Sequence, residues 1–144
     1  MKIDKAGDYD LGTGNGGVNR FDDLIYGIIS RNADLRVVEA RFENIGLENP
    51  QGEPFPVIGG SGIQFDGDGN RQLIVEKDGL FSNYGTEFTN CLAPAIFSWR
   101  AANLEVREAS ISNCPVGIEA RRTSTTNLEN NFMEEVETGI DYHT

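Results

Sequence analysis

The sequence predicts an all-β domain, a right-handed parallel β-helix (solenoid) of about five coils with two loop insertions. Three observations predict it: a repeat of about 22 residues, apolar residues that alternate with polar ones, and 17 glycines among 144 residues. Many glycines are expected when short strands are joined by many turns. A single coil is too small to bury a core, so the stacking of successive coils must stabilise the fold.

The repeat is clearest in a four-residue pattern: a large apolar residue, any residue, Asn or an acidic residue, and a small or branched apolar residue. A Gly-Ile pair often follows. The first residues of its occurrences are 21, 46, 23 and 22 positions apart, and 46 is twice 23. Equivalent residues of neighbouring coils should therefore lie about 4.8 Å apart. The occurrences begin at Phe21, Phe42, Phe88, Ile111 and Met133.

A second track precedes the first by about seven residues and alternates apolar with polar residues, which indicates strands. Leucine-rich repeats are discounted because their Leu-x-x-Leu-x-Leu framework is missing, and helical repeats need a different apolar spacing. A β-sandwich of short antiparallel strands stays open as the alternative fold. The second track comprises Leu35 and Val37, Leu104 and Val106, and Thr126 and Leu128.

Three asparagines, Asn44, Asn90 and Asn113, share one position of the repeat, with Asp23 and Glu135 at its two ends. We predict that their side-chain amides form a hydrogen-bonded ladder along a turn. Asparagine suits such a turn because it tolerates the left-handed backbone conformation. We interpret the ladder as structural.

Two cysteines, Cys91 and Cys114, directly follow ladder asparagines in neighbouring coils. The stacking brings their Cα atoms within the range of a disulfide. Two small thiols that face inward also fill a core without a bond, and we expect free, stacked thiols. The disulfide remains the alternative.

The whole chain, residues 1–144, is expected to form one domain. Residues 1–20 are predicted to be an irregular, Gly-rich N-terminal segment, and residues 21–144 are predicted to form the coils. Insertions interrupt the coils near residues 46–62 and 76–86. The last repeat stops almost in mid-pattern without an amphipathic cap, so we expect a fragment of a longer protein or a subunit of an assembly. Unpaired strands at the ends would favour end-to-end self-association or flanking domains.

Acidic residues outnumber Lys and Arg by 23 to 12, which gives a net charge of −11. Nucleic-acid binding is therefore not expected, because it needs a basic surface. No run of 18 apolar residues exists and no signal peptide is recognisable, so the sequence predicts no membrane span.

The segment from Phe88 to Ile140, with its Thr-Asn-Cys and Ser-Asn-Cys steps and its Gly-Ile closures, resembles the right-handed β-helix repeats of the pectin-lyase-like superfamily and of related secreted surface proteins. The likeness extends over about Phe21 to Tyr142. It implies an extracellular or cell-surface location and contact with polysaccharide. It is informative about fold rather than activity.

Solenoids usually carry their function where the repeat is interrupted. The two insertions contain Phe55, Phe81 and Tyr84, which are candidate ligand-binding residues because aromatic side chains are a common surface for sugar rings. The favoured interpretation, however, is that the insertions fold down and cover the surface of the coils.

Between the insertions, Asp66, Asp68 and Asn70 have the spacing of the first ligands of a calcium loop. Position twelve of that loop would be Lys77 rather than glutamate, so a plain turn is favoured. No cofactor is expected unless calcium binds here. A zinc site is not expected, because the only other candidate ligands are two cysteines and the lone His143.

Two functions are weighed. The favoured one is a non-catalytic extracellular or surface module with a structural, adhesive or carbohydrate-contacting role. The alternative, from the resemblance, is a polysaccharide lyase or glycoside hydrolase, which needs a base or paired carboxylates on one face. No catalytic motif of that superfamily is recognisable. The candidate catalytic residues are Asp66, Asp68 and Arg71, or Arg107 near Arg121 and Arg122.

Overall fold

The computed structural model describes residues 1–3, 8–11, 19–46, 59–77 and 85–144. All strand pairs among these residues run parallel, so the antiparallel sandwich alternative is wrong. The described part of the chain contains no helix long and apolar enough to cross a membrane. Its strands are β1 (Lys2–Ile3), β2 (Asp8–Leu11), β3 (Asn19–Asp22), β4 (Ile28–Arg31), β5 (Asp34–Val38), β6 (Ala40–Ile45), β7 (Ile63–Asp66), β8 (Gln72–Glu76), β9 (Glu87–Cys91), β10 (Ile96–Trp99), β11 (Asn103–Arg107), β12 (Ser110–Arg121), β13 (Thr125–Glu129) and β14 (Phe132–His143).

The strands form three ladders, which we call faces 1, 2 and 3. Face 1 has the order β2-β5-β8-β11-β13. Face 2 runs β3-β6-β9 and face 3 runs β1-β4-β7-β10, and both continue into β12 and β14, which are long enough to turn the corner between them. Faces 1 and 2 are thus five strands deep, in agreement with the predicted number of coils.

The core lies inside the three faces and is built from layers of equivalent residues. On face 2 the rings of Phe21, Phe42 and Phe88 stack with centroid distances of 4.7 and 4.8 Å. These distances match the strand spacing, since each ring comes from a different coil. The predicted second track forms the inner side of face 1, where Leu104 pairs with Thr126 and Val106 with Leu128.

The corner between faces 2 and 3 contains the asparagine ladder. Asn90 Nδ2 donates a hydrogen bond to Asn44 Oδ1 over 3.0 Å, and Asn113 Nδ2 donates one to Asn90 Oδ1 over 2.6 Å. All three residues, together with Asp23 and Glu135, have φ between 51° and 57°. The left-handed conformation that turns the chain at this corner therefore recurs in every coil.

The N-terminal part of the chain differs from the irregular segment predicted for residues 1–20. Strand β1 pairs with β4, strand β2 pairs with β5, and β3 begins at Asn19. Strands β1 and β2 do not carry the apolar repeat, so they can be identified only from their pairing with β4 and β5. The predicted insertions near residues 46–62 and 76–86 lie mostly outside the described residues, between the end of β6 at Ile45 and the start of β7 at Ile63 and between the end of β8 at Glu76 and the start of β9 at Glu87.

Candidate functional site

The outer side of face 3 presents two columns of side chains, because alternate residues of each strand point outward. Within the described residues, Ile29, Gln64 and Phe97 of the first column have no exposed surface and Asp66 of the second is buried, whereas Arg31 and Trp99 are partly exposed. The first column is Ile29, Gln64, Phe97, Glu119 and Asp141, and the second is Arg31, Asp66, Trp99, Arg121 and His143.

Four charged or titratable side chains meet where the columns cross the last two coils, and we call them the face-3 cluster: Glu119, Arg121, Asp141 and His143. Glu119 forms an ion pair with Arg121, and its side chain is only 7% exposed. His143 Nε2 lies 3.0 Å from Asp141 Oδ1. One polar atom from each of Glu119, Asp141 and His143 lies within 4.8 Å of the others.

The register of β12 and β14 creates this cluster. Glu119 and Asp141 are direct partners in the parallel ladder, and so are Arg121 and His143. The acidic residues are 22 positions apart and each follows a Gly-Ile pair, so the repeat brings them to one level of neighbouring coils. The repeat contains a signal for this pair, namely the acidic residue that directly follows Gly-Ile in both coils. His143 carries no such signal, because it is the single histidine of the sequence.

Aromatic rings flank the cluster on the preceding coil. The guanidinium of Arg121 lies 5.7 Å from the ring centroid of Phe97, and that of Arg122 lies 5.4 Å from the ring centroid of Trp99. Both distances suit cation–π contact. Arg122 is exposed and forms no ion pair with any described residue. The site therefore combines a half-buried indole, one uncommitted cation and the paired charges of the cluster.

These groups offer hydrogen-bond donors and acceptors beside an aromatic surface. Two adjacent carboxylates and an imidazole are also the residue types that hold a metal ion or transfer protons. Arg121 already neutralises Glu119, and His143 already contacts Asp141. The arrangement thus suits recognition of a polar ligand more directly than it suits metal binding.

The predicted catalytic and calcium residues near Asp66 lie in a charged turn between faces 3 and 1. Arg100 donates two hydrogen bonds to Asp66, over 2.8 and 3.1 Å, and also lies 3.0 Å from Asp68. Hydrogen bonding to Asp66 raises the pKa of Arg100, although desolvation opposes it. Asn70 Nδ2 donates to the backbone oxygen of Asp68 over 3.3 Å. Arg100 therefore supplies the positive charge that pairs with both Asp66 and Asp68.

Two arginine candidates have other partners. Arg71 lies 3.3 Å from a carboxylate oxygen of Asp34. Arg107 ends β11 on face 1, where it pairs with Glu105 and Glu76. The expected grouping of Arg107 with Arg121 and Arg122 is thus wrong, because the latter two lie at the end of the face-3 strand.

Cys91 and Cys114 are free, and each is 2% exposed. A hydrogen bond between the two thiols raises the pKa of Cys91 and lowers that of Cys114. Burial opposes ionisation of both. Phe55, Phe81 and Tyr84 lie outside the described residues, and their proposed ligand contacts stay a prediction.

Comparison with known families adds one match. Residues 19–144 match the sequence model of a family described as right handed beta helix region. The match covers all coils from β3 onward and agrees with the right-handed winding expected from the repeat. Neither the curated proteins nor the solved structures contain a match to this chain.

Proposed function

This chain belongs to the right-handed β-helix family, and we propose that it is a non-catalytic surface module that contacts polysaccharide on the outer side of face 3. The family fixes the scaffold and leaves the activity open. The residues of the site supply the argument for the activity.

The observation that carries the proposal is the exposed guanidinium of Arg122 over the ring of Trp99. An aromatic ring offers an apolar surface to the C–H groups of a sugar ring, while an arginine can bind a carboxylate through two parallel hydrogen bonds. Arg122 has no acidic partner among the described residues, so its charge is available to a ligand. A polymer that contains uronic acids fits this pair best.

The site extends across three successive coils, which favours a polymer of repeating units as the ligand. Trp99, Arg121 and His143 occupy successive coils of one column, about 4.8 Å apart. A flat row of this kind can contact consecutive sugar units without enclosing them. Asp141 lies beside the row and offers a partly exposed hydrogen-bond acceptor.

One specific observation favours a second candidate, a glycoside hydrolase. Glu119 is nearly buried and has a carboxylate oxygen within 4.8 Å of one on Asp141. Paired carboxylates on one face are the groups that cleave a glycosidic bond. Against it, the carboxylate of Glu119 is already engaged in an ion pair with Arg121. We therefore place it second.

Binding is tested by affinity electrophoresis and calorimetry against a panel of neutral and uronate-containing polysaccharides. The variants are Trp99→Ala and Arg122→Gln, and Arg20→Gln is the matched control because it removes an exposed arginine from the outer side of face 2. We expect a uronate polymer to bind, and both site variants to weaken its affinity about tenfold or more. Arg20→Gln should bind like the parent. The proposal fails if no polymer binds, or if folded Trp99→Ala and Arg122→Gln bind normally.

Catalysis is tested separately with the same panel by measuring reducing ends and unsaturated products, with and without calcium. The non-catalytic proposal predicts neither product. Product release that is lost in Glu119→Gln and retained in Glu105→Gln would establish the hydrolase instead, because Glu105 is a paired glutamate on face 1. Circular dichroism verifies that each variant is folded.

A further inference from the structure

The turn that follows face 3 has one equivalent residue in each of four coils, and we call these the corner residues: Asn32, Gly67, Arg100 and Arg122. Each donates its backbone N–H to a carbonyl oxygen of the following coil, over 2.8 to 3.0 Å. The three that are not glycine have φ between 50° and 53°. Their side chains therefore leave the backbone in the same geometry, one coil apart.

Arg100 shows which side chain a corner arginine meets. It directly follows Trp99, and the ladder partner of Trp99 in the preceding coil is Asp66. The guanidinium of Arg100 reaches back to this partner and donates two hydrogen bonds to its carboxylate, over 2.8 and 3.1 Å. Asp68 adds a second carboxylate oxygen at 3.0 Å. The charge of Arg100 is thus neutralised inside the protein.

Arg122 has the same position one coil later, but it meets a different side chain. It directly follows Arg121, whose ladder partner in the preceding coil is Trp99. The guanidinium of Arg122 again reaches back to that partner, and it lies 5.4 Å from the centroid of the indole ring. An aromatic ring attracts the cation through its face and leaves the N–H donors at the edge of the guanidinium unpaired. An acid therefore lies beneath one corner arginine and an indole beneath the next.

The neighbouring cation does not compete for this role. Arg121 is the direct ladder partner of Trp99, but its guanidinium is already paired with Glu119. Arg122 is exposed and has no acidic partner among the described residues. The identity of residue 99 therefore decides whether Arg122 is open or closed.

We propose that Trp99 determines the charge of the ligand, because it holds Arg122 by its face and leaves the N–H donors free for an anionic sugar unit. An acid at position 99 would close Arg122 as Asp66 closes Arg100. The ligand in this inference rests on the proposed polysaccharide contact, whereas the geometry does not. The site should accordingly prefer a uronate polymer to a neutral one.

The geometry is tested without any ligand. Trp99→Asp and its uncharged control Trp99→Asn are each made in the parent and in Arg122→Gln, and thermal unfolding is followed by circular dichroism. With Arg122 present, Trp99→Asp should melt about 2–4 °C above Trp99→Asn, because the new carboxylate pairs with the guanidinium. In Arg122→Gln this difference should vanish. Equal melting temperatures with Arg122 present, or a difference that persists without it, would overturn the inference.

The effect on the ligand is tested with a uronate polymer and with the same polymer after reduction of its carboxyl groups to alcohols. The parent should bind the uronate form about tenfold more tightly. Trp99→Asn should weaken the binding of both forms and keep the preference, whereas Trp99→Asp should abolish the preference. Asn127→Asp is the control for added charge, because Asn127 is an exposed residue of β13 on face 1, and it should keep the preference.

The outcomes separate this inference from the proposed function. If the parent binds neither polymer, the proposed function fails and the melting temperatures alone decide whether an acid at position 99 closes Arg122. If the parent prefers the uronate polymer and Trp99→Asp keeps that preference, the inference fails and the proposed function stands. A carboxylate that merely repels the polymer would weaken uronate binding equally with and without Arg122. That result would also overturn the inference.

Discussion

Replacement of Asn90 by alanine should destabilise the fold far more than its partly exposed position suggests. Asn90 donates one ladder hydrogen bond, to Asn44, and accepts another, from Asn113. It also holds φ at 57°, in the left-handed region. Alanine would lose both hydrogen bonds and would strain the backbone, whereas glycine would lose only the hydrogen bonds.

The magnitude follows from these two terms. A left-handed conformation costs alanine about 1–2 kcal/mol. Each net hydrogen bond contributes about 0.5–1.5 kcal/mol, and the lower half applies because both bonds are exposed to solvent. We therefore expect Asn90→Ala to lower the free energy of unfolding by about 2–4 kcal/mol and Asn90→Gly by about 1–2 kcal/mol.

Urea unfolding followed by circular dichroism measures both changes. Asn127→Ala is the control, because Asn127 is an exposed strand residue outside the left-handed positions. It should change the free energy of unfolding by less than about 0.5 kcal/mol. The reasoning is refuted if Asn90→Ala costs no more than Asn127→Ala, or if the glycine variant is the less stable of the two ladder variants.

Three further predictions concern packing, thiols and ion pairs. Gly117→Ala should destabilise the fold by about 1–3 kcal/mol, because the new methyl group would lie 2.5 Å from Gly139 O. Gly139→Ala is the control and should lower the melting temperature less, because its methyl group would meet only Met133 Sδ, at 3.3 Å. Equal losses of stability in the two variants would contradict this packing. Ellman's reagent should detect neither buried cysteine in the native protein and both in denaturant, so rapid native labelling would show that the coils open. A double-mutant cycle of Asp66→Asn and Arg100→Gln should give a coupling energy of about 1 kcal/mol, and zero coupling would remove Arg100 as the partner of Asp66.

The sequence predicted features that depend on strong periodicity. Three features recur at nearly constant spacing in the sequence: the ladder asparagines, the stacked phenylalanines and the inner residues of face 1. In a parallel solenoid, residues one repeat apart in the sequence are in contact in the fold. Strands β1 and β2 could not be predicted in this way, because their residues carry no recognisable repeat. Their position depends on backbone pairing with later coils.

The candidate site was harder to predict than the core. Glu119, Asp141 and His143 meet only because β12 and β14 turn a corner as continuous strands in one register. Outward residues of a solenoid vary more freely than inward ones, so their chemistry does not follow from the repeat. Arg107 shows the converse error. It was grouped with Arg121 from the sequence, but the fold places Arg107 at the end of a face-1 strand and Arg121 at the end of a face-3 strand.

The central claim is that residues one or two repeat lengths apart stack directly on each other. The rings of Phe42 and Phe88 test it most directly, since they are 46 positions apart in the sequence and their centroids are 4.8 Å apart in the fold. NMR on protein with labelled phenylalanine should show through-space contacts between these two rings, with assignments from Phe42→Leu. Absence of those contacts in the folded protein would contradict the stacked solenoid.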